Sequence, residues 1–179
     1  MQKNRGDAAL FWGVLVTVVV ADYVTKVIAV SSLVPARVPR EFLGDWFRWT
    51  LVYNPGAAFG LSLGPYSRWI FMSLTIAALY VLWRLYTTAK AGDWQRVLAV
   101  ALVCAGAIGN LIDRVRSPRG VVDFIDIGLG NSRWPTFNIA DIAVSCGAIL
   151  LAWVLWWEDE NESTGQMVAA TPDTGEGGR

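Results

Sequence analysis

The chain alternates between long apolar runs and short polar clusters, and the runs can be bounded by charges. The first extends from Ala8 to Ala21, is interrupted by Asp22 and Lys26, and resumes to Val34. The second runs from Trp69 to Trp83 between Arg68 and Arg84, and the third from Val97 to Ile112 between Arg96 and Asp113. The fourth covers Ile142 to Trp157 between Asp141 and Glu158. Each reads as a membrane-spanning helix, which sets the expected fold class: an all-α membrane protein of four transmembrane helices. The charge-free stretches hold only 14 to 16 residues, whereas a full span takes about 20. Lys and Arg stems reaching from the helix ends lengthen the effective span. Polar residues gathered at one end of each helix, facing protein rather than lipid, lengthen it further. An alternating path of four helices brings the ends carrying Asp22/Lys26, Asp113/Arg114 and Asp141 to the same membrane face.

The connections differ in kind. Ser31 to Ser67 is long, contains Pro35, Pro39, Pro55 and Pro65, and includes the alternating, β-prone stretch Phe47 to Tyr53. It predicts a small β-rich platform together with an interfacial amphipathic helix within Pro39 to Trp49, anchored by Trp46, Phe47 and Trp49. A tight turn at Lys90 to Asp93 joins helices 2 and 3. The connection Val115 to Asn138, rich in Pro and Gly, reads as a loop. Residues 1–157 form one domain on this reading. Residues 158–179, acidic and rich in Gly, Ser and Thr, read as a disordered cytoplasmic tail. No internal repeat is evident.

Composition supports a membrane assignment. Hydrophobic residues make up 54% of the chain, mean hydropathy is +0.40 and only 17% of residues are charged, against about a quarter in soluble domains. Many of the 10 Trp fall at the ends of apolar runs, as in an interfacial aromatic belt. Net charge is zero, which implies no nucleic-acid or other polyanion partner. The distribution of Lys and Arg does not fix orientation. Lys3 and Arg5 ahead of an apolar run ending in Val19-Val20-Ala21 also allow a cleavable leader, but apolar character resumes beyond Lys26.

The absence of histidine excludes Ser-His-Asp and Cys-His nucleophilic sites. With only Cys104 and Cys146, both inside apolar runs and read as inert buried thiols, a zinc site is not expected either. What remains is carboxylate chemistry. Asp123 in Val121-Val122-Asp123-Phe124 and Asp141 in Phe137-Asn138-Ile139-Ala140-Asp141 lie at the edges of apolar runs, where an acid is costly and is by default a functional candidate. Two close carboxylates share a proton, so one can activate water while the other polarises a carbonyl. Which does which belongs to the pair. Asp126 is the nearest competing acid.

The polar residues fall in five clusters: Asp22-Tyr-Val-Thr-Lys26, Asn54-Pro-Gly-Ala-Ala-Phe59, Gly109-Asn-Leu-Ile-Asp-Arg114, Val121-Val-Asp-Phe124 and Phe137-Asn-Ile-Ala-Asp141. In this order on four helices they resemble the bacterial lipoprotein signal peptidases (signal peptidase II), over about Ala8 to Trp157. The resemblance implies an aspartic endopeptidase that removes the signal peptide from diacylglyceryl-modified prolipoproteins, cutting just before the lipidated Cys, with no cofactor. It implies a multi-pass protein of the cytoplasmic (inner) membrane with its site at the extracytoplasmic face, in contact with membrane lipid. We expect a monomer.

The resemblance matches the catalytic pair to Asp123 and Asp141, and substrate contacts to Asn54, Asn110 and Arg114. Asn110, Asp113 and Arg114 share a helix face by their spacing. Asn138 either holds a carboxylate oxygen or caps helix 4. Asp22 and Lys26 form an i, i+4 pair that either supports the fold or serves catalysis. Gly56 suits a turn or a close backbone approach, and Phe59 and Phe124 suit packing. An ion-coupled membrane transporter and a non-catalytic lipid-binding membrane scaffold are the competing classes. A carrier tends to use inverted repeats and broken helices at mid-membrane.

Overall fold

The computed structural model describes residues 5–56 and 63–169, with the backbone alone for 159 and 161–169. Four long helices carry the chain: α1 (Arg5–Ser32), α2 (Ser67–Thr88), α3 (Trp94–Arg116) and α4 (Ile139–Ala169). All four are long and apolar enough to cross a membrane. The shortness of the apolar runs is resolved by helix extension into polar flanks. α1 runs unbroken through Asp22 and Lys26, because their charges are satisfied within the bundle and neither must face lipid.

α3 is the centre of the bundle. Of its apolar window 44% is buried, against 17%, 11% and 22% for α1, α2 and α4. Large side chains on the outer helices, among them Val16, Val20, Leu74, Ile76 and Ile149, are exposed, as lipid-facing surfaces are. Helices in a bilayer gain little from burying apolar area and associate through close packing of small residues. Here Ala99, Ala105, Ala140 and Ala143 are buried. A Cβ on Gly106 would run into the Ala140 carbonyl, and one on Gly109 would sit 2.5 Å from the Asp22 carboxylate. The interior away from the sheet is an aromatic and aliphatic cluster of Phe11, Leu82, Tyr86, Val97, Val100, Ala101 and Cys104, with Phe11 and Tyr86 stacked at 4.0 Å. At that end Asp7 accepts from the Gly92 backbone in the α2–α3 turn (2.9 Å), and Arg96 bridges Asp93 and Glu158.

The opposite end carries a four-stranded antiparallel sheet in the order β1-β2-β3-β4, made of β1 (Arg40–Leu43), β2 (Phe47–Asn54), β3 (Val121–Leu129) and β4 (Ser132–Arg133). The platform is therefore built from both long connections, and the segment expected to be a loop between helices 3 and 4 supplies its central strand. Val121, Val122, Ile125 and Ile127 favour strand, and pairing with β2 satisfies their backbone. The interfacial helix expected within Pro39 to Trp49 is instead the β1–β2 hairpin. Phe42, Phe47 and Trp49 pack on one another there, and Trp49 stacks on Phe124. Of the three expected anchors only Trp46 is well exposed. Phe124, expected to pack, is buried in this cluster.

α4 also differs from expectation. It continues past Trp157 to Ala169, because Glu158, Glu160 and Glu162 are strong helix formers and no proline intervenes before Pro172. The remainder of the expected tail, residues 170–179, and Phe59 lie outside the described residues.

Candidate active site

The site is assembled where the sheet meets the helix ends. Asp123 lies on β3 opposite Val52 of β2. After β4 the chain folds back, so that Phe137 pairs with Ile125: Phe137 N donates to Ile125 O (3.0 Å), and Ile125 N donates to Phe137 O (2.8 Å). This return lays Asn138 beside Asp123 just before α4 begins. Asn138 is then the N-cap of α4, and Asp141 occupies the third helical position. Their bonds are reciprocal. Asp141 N donates to Asn138 Oδ1 (3.0 Å), and Asn138 N donates to Asp141 Oδ2 (3.1 Å). This is the logic of a capping box, with Asn and Asp in the two roles.

Asn138 also joins the two acids. Its Nδ2 donates to Asp123 Oδ1 (2.7 Å), and further to Val122 O and Asn110 Oδ1 (3.2 Å each). Asp123 Oδ2 accepts from Asn54 Nδ2 (3.3 Å), and Asp141 Oδ1 accepts from Asn110 Nδ2 (2.8 Å). Each carboxylate is thus held by two amide-bearing residues, and Asn138 serves both. Burial differs: Asp123 is 2% exposed, whereas Asp141 is half-buried. Burial pushes the Asp123 carboxyl up to about 7, the negative charge of Asp141 adds to the rise, and the bonds from Asn138 and Asn54 oppose it.

Behind these residues lies an ion cluster. Lys26 Nζ is 2.8 Å from both Asp22 Oδ2 and Asp113 Oδ2 and donates to Asn110 Oδ1 (3.0 Å). The two acids also hold the site's backbone. Asp22 Oδ1 accepts from Ala140 N in the first turn of α4 (3.0 Å), and Asp113 Oδ2 accepts from Val122 N on β3 (3.1 Å). Lys26 and its two acids therefore tie α1 and α3 to the elements that carry Asp141 and Asp123.

Arg114 turns elsewhere on the α3 face. It donates to the Gly56 carbonyl (2.7 Å), with its guanidinium 5.7 Å from the Phe71 ring. Gly56 N in turn donates to Asn54 Oδ1 (3.0 Å). Gly120, at φ +95°, lets β3 begin against the Asn54 carbonyl. Arg68 donates to the Arg114 and Val115 carbonyls (2.6 and 3.1 Å), which pins the start of α2 to the end of α3.

Alongside Asp141 runs a groove of about 420 Å³ lined by Trp134, Pro135, Thr136, Phe137, Ile142, Val144, Ser145 and Cys146. It is mostly apolar and follows the outer face of α4. The Cys146 thiol, read from sequence as buried, is exposed along it because that face of α4 is not covered by another helix.

The sequence profile of the family described as signal peptidase (SPase) II matches residues 14–157, most of the chain and all of the site. This chain belongs to the signal peptidase II family.

Relatives of this signal peptidase II include the lipoprotein signal peptidase of Xanthomonas campestris, 40% identical over 157 residues, covering 85% of this chain and 92% of the relative. That of Polynucleobacter necessarius is 38% identical over 146 residues, covering 80% and 86%. Among solved structures, a bacterial membrane enzyme determined by the in meso method superposes with a TM-score of 0.74 at 34% identity. It covers 84% of this chain and 90% of its own.

Of the residues singled out from sequence, Asp123, Asp141, Asn54, Asn110 and Asn138 converge on one network. Asp22, Lys26 and Asp113 form the ion cluster behind it, joined through Asn110. Arg114 and Gly56 bond each other at its edge. Asp126, the competing acid, faces away from this signal peptidase II site. Its carboxylate accepts from Arg133 Nε (2.6 Å) and Thr50 Oγ1 (2.8 Å) and fastens the platform. Sequence reasoning missed Arg68, Thr50 and Arg133. Arg68 and Thr50 act through contacts between residues distant in sequence, Arg133 reaches Asp126 across the short β3–β4 turn, and none sits in a motif.

Proposed function

We propose that Asp123 and Asp141 are the catalytic pair of this signal peptidase II, and that its substrate is a prolipoprotein whose cysteine already carries diacylglycerol. The observation that supports the reading is Asn138 between the acids: its side-chain amide donates to buried Asp123, whose carboxyl is pushed up to about 7, and its backbone N donates to half-buried Asp141 beside an apolar groove. In the proposed mechanism Asp123 holds the proton of the pair and donates a hydrogen bond to the scissile carbonyl oxygen. Asp141, whose carboxylate accepts from Asn110 Nδ2 and Asn138 N and lies beside the groove, serves as the base. It takes a proton from water as the oxygen attacks the carbonyl carbon. Collapse of the tetrahedral intermediate breaks the C–N bond, and the proton passes to the leaving amine of the cysteine. The free carboxylate stays on the signal peptide. No step calls for a metal or organic cofactor.

The groove beside Asp141 suits acyl chains that stay in the bilayer, because its lining is apolar and it lies on the lipid-facing side of α4. We place the pair at the extracytoplasmic face of the inner membrane, with the protein acting as a monomer. The test is cleavage by the purified chain in detergent, followed as a gel shift. Diacylglyceryl-modified precursor is expected to be cut and the unmodified precursor to resist. Equal cleavage of both sinks the lipid requirement.

The pair also dictates a pH profile. Activity needs the singly protonated state, so it falls when the remaining proton leaves. The descending limb of kcat/KM is expected near pH 7, where Asp123 titrates, with loss continuing as pH rises. Removing a bond that favours the charged form, as in Asn138→Ala, shifts that limb to higher pH while lowering the maximum. A limb that stays in place would mean that another group sets it.

A further inference from the structure

A second hollow, of about 400 Å³, lies on the other side of the ion cluster between α1, the end of α3 and the end of β2. Its lower wall is apolar and belongs to a membrane-spanning helix: Tyr23, Val27 and Val30 of α1, with Tyr23 41% and Val27 51% exposed. Its upper rim carries Arg116 and Arg119, both exposed, each laid over an aromatic ring. The Arg116 guanidinium is 5.1 Å from the Tyr23 ring, and that of Arg119 is 4.0 Å from the Tyr53 ring. Among the described residues neither arginine takes part in an ion pair. The acid that reaches this hollow, Asp113, is already engaged by Lys26 and by Val122 N. Two guanidiniums laid over ring faces, neither in an ion pair and with donors to spare although Arg116 also bonds the Tyr23 side chain and feels the charge of Asp113, form a receptor for a phosphate. They stand at the membrane-interface end of α3, directly above exposed aliphatic surface, where a phosphate would arrive with acyl chains attached.

We infer that this hollow binds an anionic phospholipid, its phosphate between Arg116 and Arg119 and an acyl chain along Tyr23, Val27 and Val30. The site is separate from the Asp141 groove and does not depend on the assignment of the catalytic pair. A lipid seated there would brace α1 against α3 and β2, the three elements that hold Lys26, Asp113 and Asn54. The apolar wall is what distinguishes a lipid from a free phosphate as the occupant.

The test is native mass spectrometry of the full-length chain in detergent, with phosphatidylglycerol and phosphatidylcholine supplied in equal amounts. The wild type is expected to retain phosphatidylglycerol over phosphatidylcholine by about thirtyfold, the scale set by two interfacial arginines. R116Q/R119Q is expected to lose that preference while still cleaving precursor in phosphatidylcholine. V27W, which fills the lower wall and leaves both charges in place, is expected to lose bound lipid as well, so the test survives if the double variant folds poorly. The proposal is overturned if the wild type shows no preference, or if both variants keep it. Displacement of the lipid by a large excess of inorganic phosphate would also overturn it, by making this a simple anion site.

Discussion

Asp123→Asn and Asp141→Asn are each expected to lower precursor cleavage by on the order of 10³-fold or more, the scale of a lost general acid or base. The amide nearly matches the carboxylate in shape, so the fold is expected to survive. Asn138 can still donate to an oxygen at position 123, and the Asn138–Asp141 cap loses charge rather than its place in the chain. What disappears is the group that shares a proton across the pair. Circular dichroism and melting temperature report folding, and cleavage of diacylglyceryl-modified precursor reports function. Asp126→Asn is the control. That acid is engaged by Arg133 and Thr50, so its loss is expected to soften the platform and leave cleavage within a few-fold. Substantial cleavage by either member of the pair would remove it from the mechanism and turn attention to Asp113 and Asp22.

Lys26→Met is expected to be the most destabilising single change at the site. Lys26 is 4% exposed and is the cation between Asp22, 1% exposed, and Asp113. Removing it leaves two carboxylates facing each other with no counter-ion, and breaking a buried ion pair from one side costs about 3–5 kcal/mol. The effect should appear as a fall in melting temperature in detergent together with lost cleavage. Adding Asp22→Asn to Lys26→Met removes one of the stranded charges and is expected to recover part of the stability. A double-mutant cycle therefore gives a coupling well above zero. If Lys26→Met melts like the wild type but does not cleave, the lysine acts on the substrate or the pair rather than on the framework.

The four helices were legible because the bilayer imposes long apolar runs, and even the interruption at Asp22 and Lys26 was readable as an internal pair at i, i+4 spacing. The candidate acids were legible for the same reason: a carboxylate beside a span is conspicuous. The strand carrying Asp123 was not. Its alternation is broken by two acids three residues apart, and Pro118 and Gly120 before it with Gly128 and Gly130 after it resemble a loop. Only pairing with β2, some 70 residues away in sequence, makes the segment a strand. The stretch from Pro39 to Trp49 forms part of the β1–β2 hairpin rather than a helix for a related reason, since its aromatic residues find partners across strands rather than along a helix face. The dual use of Asn138 was half readable. Its capping role follows from spacing to Asp141, but its bond to Asp123 depends on the Phe137–Ile125 pairing.

The two acids belong to different layers, one on a strand and one in the first turn of the last spanning helix. During biosynthesis Asp123 emerges before Asp141, and although Asp141 can meet Asn138 as soon as the first turn of α4 forms, Asn138 reaches Asp123 only once the Phe137 segment has paired with β3. A partly inserted chain therefore carries no assembled pair. If the pair is catalytic as proposed, activity is expected to appear only after α4 and the β2–β3 pairing are both in place, so nascent membrane segments beside the chain do not meet a half-built protease.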